Sequence, residues 1–143
     1  MNKQDFIKKV SELNINITEE QLSQLDIYCK FLLEYNTHTN LTAIKEEEQV
    51  YLKHFYDSLT ITKIIDINNK NICDLGSGAG FPGLVLAICF PNANLTLIES
   101  NGKKCNFLKI VKDKLKLNNV TIINARVEEY AKENREIFVL MFY

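Results

Sequence analysis

The stretch Asn71-Ile72-Cys73-Asp74-Leu75-Gly76-Ser77-Gly78-Ala79-Gly80-Phe81-Pro82-Gly83 restricts the fold of this chain more than any other. A short apolar run stops at glycines, and a second apolar run of helix length starts after Pro82, which reads as strand, turn and helix. Glycines stand at 76, 78 and 80, every second residue. With no Cβ at these positions a ligand can lie directly on the main chain. The loop therefore predicts a binding turn at the carboxyl end of a buried strand.

Spacing and charge narrow the ligand. Dinucleotide sites use G-x-G-x-x-G and seat a pyrophosphate on a helix N-terminus. Here Phe81 holds the place where that pattern needs its third glycine, and Asp74 stands two residues ahead of the first. A carboxylate there opposes a pyrophosphate and favours a ligand carrying an ammonium and a sulfonium, as S-adenosylmethionine (SAM) does. The next strand, Asn94 to Glu99, closes on a second acid 23 residues after Gly76. An acid in that place accepts the hydroxyls of an adenosine ribose, whether in NAD or in SAM. Glycine spacing, Asp74 and Glu99 together point to SAM; a tight turn in some other α/β protein is the alternative.

All five Gly and both Pro fall between Gly76 and Gly102, and the two halves of the chain differ accordingly. Residues 1–67 read as an N-terminal helical segment. One amphipathic helix spans residues 3–13, with Phe6, Ile7, Val10 and Leu13 inward. A second begins after Thr18, whose spacing to Gln21 is that of a capping box, and a third runs from about Glu46 to Ile65. Residues 68–143 read as strand and helix in alternation, with strands at Asn71–Leu75, Asn94–Glu99, Val120–Asn124 and Ile137–Tyr143. That rhythm implies a parallel sheet with right-handed crossovers, the α/β arrangement of a Rossmann-like half-domain of about four strands.

Hydrophobic residues at 46% and charged residues at 24% suit one globular domain with a real core. A net charge of -1 gives no global pull toward nucleic acid, so an RNA partner needs a local basic patch. No apolar run has the length of a membrane span and the N-terminus has no signal-peptide core, so a cytoplasmic, monomeric enzyme without membrane association is expected. Cys29, Cys73, Cys89 and Cys105 form no C-x-x-C pair and lie in apolar patterns, which predicts reduced, buried thiols and no metal site.

Four segments carry a family pattern. They are Tyr35-Asn36 with Asn40-Leu41-Thr42-Ala43-Ile44; His54-Phe55-Tyr56-Asp57-Ser58-Leu59; Asp74 through Gly83; and Glu99-Ser100-Asn101-Gly102-Lys103-Lys104 with Phe107-Leu108. In these the chain resembles the bacterial small-subunit rRNA guanine-N7 methyltransferases, also called glucose-inhibited division protein B. The resemblance implies a class I SAM-methyltransferase fold and transfer of a methyl group from SAM to N7 of one guanosine in 16S rRNA, free or in the small ribosomal subunit. It implies that Gly76, Ser77, Gly78 and Phe81 line the methionine and ribose, and that Glu99 holds the ribose. Val127 and Glu128 would flank the adenine. Asp74, Gly80 and Ser100 complete the expected cofactor set. The family pattern continues beyond the point where this chain ends, so a fragment or a truncated reading frame lacking the acceptor side is expected, with Tyr143 closing an apolar strand whose edge is unpaired. A non-catalytic SAM-binding remnant and a SAM methyltransferase with another acceptor are the alternatives.

Guanine N7 has a free lone pair, so no general base is required. His54 and Asp57 are the candidate catalytic residues. With Ser58 they fall at i, i+3 and i+4 on one helix face. They read either as groups at the cofactor or acceptor side or as a brace between the helical half and the sheet. Lys103, Lys104, Lys109, Lys112, Lys114 and Lys116 crowd one helix, either as a phosphate-binding patch or as a solvated face.

Overall fold

Four parallel strands occupy the centre of the molecule in the order β3-β2-β1-β4: β1 Asn71–Leu75, β2 Asn94–Glu99, β3 Val120–Asn124 and β4 Leu140–Phe142. The computed structural model describes residues 1–134, 138 and 140–142. β1 and β2 pair from Asn71↔Asn94 to Leu75↔Ile98, and β2 and β3 from Leu95↔Val120 to Glu99↔Asn124. β4 pairs with the other edge of β1, Ile72 opposite Leu140. The chain thus winds outward from β1 to β3 and then returns to the far side of β1. In open α/β sheets this reversal is a switch point, and the crevice beyond the carboxyl ends of the strands there is where ligands lodge. The first three strands start and end where the sequence places them. Of the expected last strand, Ile137, Val139 and Tyr143 lie outside the described residues, and with Tyr143 the expected unpaired edge.

Strand alternation sorts the side chains into two layers. Ile72, Leu95 and Leu97 join the main core, while Cys73, Leu75 and Ile98 pack with Ala131, Val127 and Tyr130 of α7 Val127–Asn134. The main core continues through α5 Gly83–Cys89, every residue of which is buried, and α6 Gly102–Leu115. It extends without a break to Phe6, Leu25, Tyr28 and Leu32 of the N-terminal helices. All four cysteines are buried and unbridged, and burial pushes the thiols of Cys29, Cys73 and Cys89 up to about 12. Among the described residues no helix is long and apolar enough to cross a membrane.

In α1 Lys3–Ser11 the Asn2 side chain accepts from the Asp5 N–H, and in α2 Glu19–Tyr35 both bonds of the Thr18–Gln21 capping box are present. Two expectations need correction. Ile7 is 40% exposed, because only Phe6 and Val10 of α1 face the core. The single helix expected from Glu46 to Ile65 is four pieces: α3 Glu47–Val50, a wider π turn Tyr51–Tyr56, α4 Asp57–Leu59 and a 3-10 turn Thr60–Lys63. No Gly or Pro breaks it. The change of pitch accompanies the seating of Tyr51 and Phe55 on Phe6, with ring centroids 5.1 and 6.5 Å away.

Candidate functional site: a glycine loop at the switch point

The turn after β1 takes backbone angles that side chains resist. Gly76, Gly78 and Gly80 have φ of +75°, +56° and +99°. The Ile98 carbonyl of β2 accepts from the N–H groups of Gly76 at 2.8 Å and Ser77 at 3.1 Å, which anchors the turn to the sheet. A Cβ added at Gly76 or Gly78 would meet nothing within 4 Å. At Gly80 it would lie 2.5 Å from Leu84 Cδ1 and 2.6 Å from Tyr28 Oη. The loop therefore has one open side, at 76 and 78, and one side packed into the protein.

Both acids of the sequence pattern are buried and both are engaged with main chain. Glu99 is 6% exposed; its Oε1 accepts from Gly78 N–H at 2.8 Å and its Oε2 from Asn101 N–H at 2.9 Å. Asn101 in turn caps α6, accepting from the N–H groups of Lys103 and Lys104. One carboxylate thus fixes the loops after β1 and β2 against each other, with lone pairs left on each oxygen. Asp74 lies beneath the turn rather than on its open side, at 2% exposure. Its Oδ2 accepts from Gly83 N–H at 3.0 Å, and Ser77 Oγ donates to its carbonyl at 3.1 Å. Burial pushes the Asp74 carboxyl up to about 7, against the lowering effect of the Gly83 and Ser77 bonds and with a further upward push from Glu99. A Cβ on Gly83 would stand 2.7 Å from Asp74 Oδ2, so this glycine is what admits the acid to the start of α5.

His54 and Asp57, the two candidate catalytic groups, face different surroundings. The His54 ring stacks on Phe81 at 4.2 Å and 7° between planes, and its Nε2 lies 2.8 Å from Thr42 Oγ1. Burial lowers its pKa while the Asp57 charge raises it, and the net shift is down, so the ring is neutral at pH 7. Thr42 is held by Asn36, whose Oδ1 accepts from Leu41 and Thr42 N–H and whose Nδ2 donates to the Thr42 carbonyl. Ser58 Oγ donates to the His54 carbonyl at 2.6 Å, and the Asp57 side chain is exposed. On the far side, Tyr28 stacks on Phe81 at 5.6 Å, and its hydroxyl donates to the Ala79 carbonyl. Tyr28, Asn36 and Thr42 were not legible as site residues. Tyr28 carries no motif signal, and Asn36 and Thr42 stand in the first family segment with no role attached to them.

The remaining candidates sit at the same carboxyl edge of the sheet. Ser100 is exposed directly after Glu99; Val127 is half-buried and Glu128 exposed at the start of α7, beyond Ala125, whose N–H bonds the Glu99 carbonyl at 3.2 Å. The lysines of α6 do not form one patch. Lys109 and Lys112 share one edge by i, i+3 spacing, whereas Lys103 and Lys114, three full turns apart, share the other; Lys116 follows the helix in a left-handed cap, and Lys114 Nζ lies 4.9 Å over the Phe31 ring.

A family model described as rRNA small subunit methyltransferase G matches residues 21–141. Relatives named ribosomal RNA small subunit methyltransferase G include one from Bacillus velezensis, 40% identical over 99% of this chain and 60% of its own length. Another, from Bacillus subtilis, is 41% identical over 96% of this chain and 59% of its length. One from Mycoplasma mycoides is 52% identical over 81% of this chain and 85% of its length. The chain thus spans about 60% of the length of the Bacillus relatives. Among solved structures, a protein-L-isoaspartate O-methyltransferase superposes with a TM-score of 0.61 at 12% identity, over 87% of this chain and 42% of that one, a likeness of fold. The architecture is the Rossmann-like sheet of class I methyltransferases, and the chain belongs to the rRNA small subunit methyltransferase G family.

Proposed function

We infer that this chain binds SAM on the open side of the glycine loop and serves the methylation of N7 of a guanosine in 16S rRNA of the small ribosomal subunit, in the cytoplasm. One observation carries the cofactor reading. Three left-handed glycines at the switch point leave Gly76 and Gly78 bare toward open space, beside a buried carboxylate, Glu99, that already holds the turn. The acceptor reading rests on membership of the family.

In this reading Gly76, Gly78 and Phe81 provide the surface for the methionine and ribose. Glu99 uses its remaining lone pairs for the ribose hydroxyls, and Ser100, Val127 and Glu128 lie on the adenine side. Asp74, Ser77 and Gly80 act as positioning residues that hold the turn from below. His54 is a positioning residue too, since it clamps Phe81 between itself and Tyr28. When bound, SAM supplies a methyl group on a sulfonium sulfur. The chain needs no general base, because guanine N7 keeps its lone pair at neutral pH. Its contribution is to hold the partners in line, which is worth about 7–11 kcal/mol when complete.

Calorimetric titration with SAM tests the cofactor reading. Gly78→Ala is the informative variant: its Cβ meets no protein atom, and the left-handed backbone costs only about 1–2 kcal/mol of stability. We expect SAM to bind the native chain and the variant to weaken binding at least about tenfold, a loss of about 1.4 kcal/mol. Unchanged affinity in Gly78→Ala places the cofactor elsewhere. Transfer of tritiated methyl from SAM to undermethylated small subunits tests the acceptor reading.

A further inference from the structure

A cavity of about 490 Å³ adjoins the glycine loop, which contributes Phe81 and Pro82 to its wall. Across from them lie Asp57, Ile61, Lys63 and Ile64, from α4, the 3-10 turn and the residue after it. The cavity combines three kinds of chemistry. Ile61, Ile64 and Pro82 form an apolar surface, and Ile64 is left 82% exposed at its lip. Asp57 puts a carboxylate on the rim, and Lys63 an ammonium. Among the described residues neither charge has an ion-pair partner. The hydroxyls nearby are spent internally, Ser58 on the His54 carbonyl and Thr60 on the Asp57 carbonyl. The His54 ring is likewise committed, to Phe81 and Thr42.

On the reading of function given above, we propose that this cavity receives the acceptor nucleotide and that Asp57 selects guanine. An ionised carboxylate only accepts hydrogen bonds, through two oxygens side by side. Guanine alone among the four bases presents two adjacent donors on one edge, N1–H and the N2 amino group. Adenine and cytosine each set a ring acceptor beside their single amino donor, and uracil flanks its one N–H with carbonyls, so each turns a lone pair toward the carboxylate. The flat purine packs on Ile61, Ile64 and Pro82, and Lys63 faces the phosphate. Asp57 also favours the reaction itself. Methylation makes the base cationic and its N1–H more acidic, so the bond to Asp57 strengthens as charge develops.

The test is a nuclear magnetic resonance titration of the whole chain with guanosine, inosine and adenosine 5′-monophosphates, each with and without S-adenosylhomocysteine. Guanosine monophosphate is expected to shift the methyl signals of Ile61 and Ile64 and to bind about tenfold tighter than adenosine monophosphate. Inosine, lacking the N2 amino group, falls between them. Asp57→Asn, an exposed position, is expected to abolish the guanine preference. Ile64→Ser, at a side chain that supports no core, weakens all three nucleotides alike. Equal binding of guanosine and adenosine nucleotides, retention of the preference in Asp57→Asn, or no shift at Ile61 and Ile64 overturns the proposal. Calorimetry with SAM on the same samples separates the two readings. A chain that takes SAM without the guanine preference loses this proposal alone. A chain that shows the preference and no SAM binding keeps it and loses the cofactor reading.

Discussion

Gly80→Ala is expected to remove about 3–5 kcal/mol of stability, while Gly76→Ala, four residues earlier in the same turn, removes about 1–2 kcal/mol. Both glycines have positive φ, +99° and +75°, and both substitutions carry the backbone penalty of a Cβ in that region. They differ in room. The Cβ at Gly80 would meet Leu84 and the Tyr28 hydroxyl at 2.5 and 2.6 Å, and that hydroxyl is already committed to the Ala79 carbonyl. Leu84 is fully buried in α5 and Tyr28 in α2, so neither can withdraw without opening the core. The Cβ at Gly76 meets nothing. Urea unfolding of the two variants measures the difference directly. Equal losses would mean that the docking of Tyr28 on the loop is wrong.

The second large effect concerns pH. The Asp74 carboxyl sits at about 7 in the folded chain and near 3.8 when unfolded. Between those values the folded state holds a proton there that the unfolded state has released, so stability from this group falls as pH rises from about 4 to 7. The full swing is about 4 kcal/mol, since each unit is worth about 1.36 kcal/mol. Asp74→Asn keeps an oxygen for Gly83 N–H and removes the titration. The variant's stability relative to the native chain is therefore expected to improve by about 4 kcal/mol between pH 4 and pH 8, whatever fixed cost the amide brings. Urea midpoints at the two pH values check this, and parallel curves would show that Asp74 is ionised and solvated in the folded protein.

The same acid shows how far a sequence pattern reaches. Its place two residues before Gly76 marks the turn correctly, but charge complementarity to a ligand is not what its surroundings express. Asp74 faces inward because strand alternation puts residues 72 and 74 on the α5 side of β1, and Gly83 leaves space for the carboxylate there. Glu99 obeys the same alternation yet ends its strand, so its oxygens reach both Gly78 and Asn101.

Local chemistry written in the sequence determined the capping box at Thr18, the first three strands to the residue, the glycine turn and the alternation that makes the sheet parallel. Each depends on neighbours within a few positions, so a linear reading suffices. Tertiary structure alone decided which residues converge on the turn. Tyr28 reaches Ala79 across 51 residues, His54 reaches Phe81 across 27, and the helical segment around them changes pitch to fit an aromatic cluster that no local signal announces. Packing at that distance is settled by the shape of the shared core, which exists only once the helices and the sheet have met.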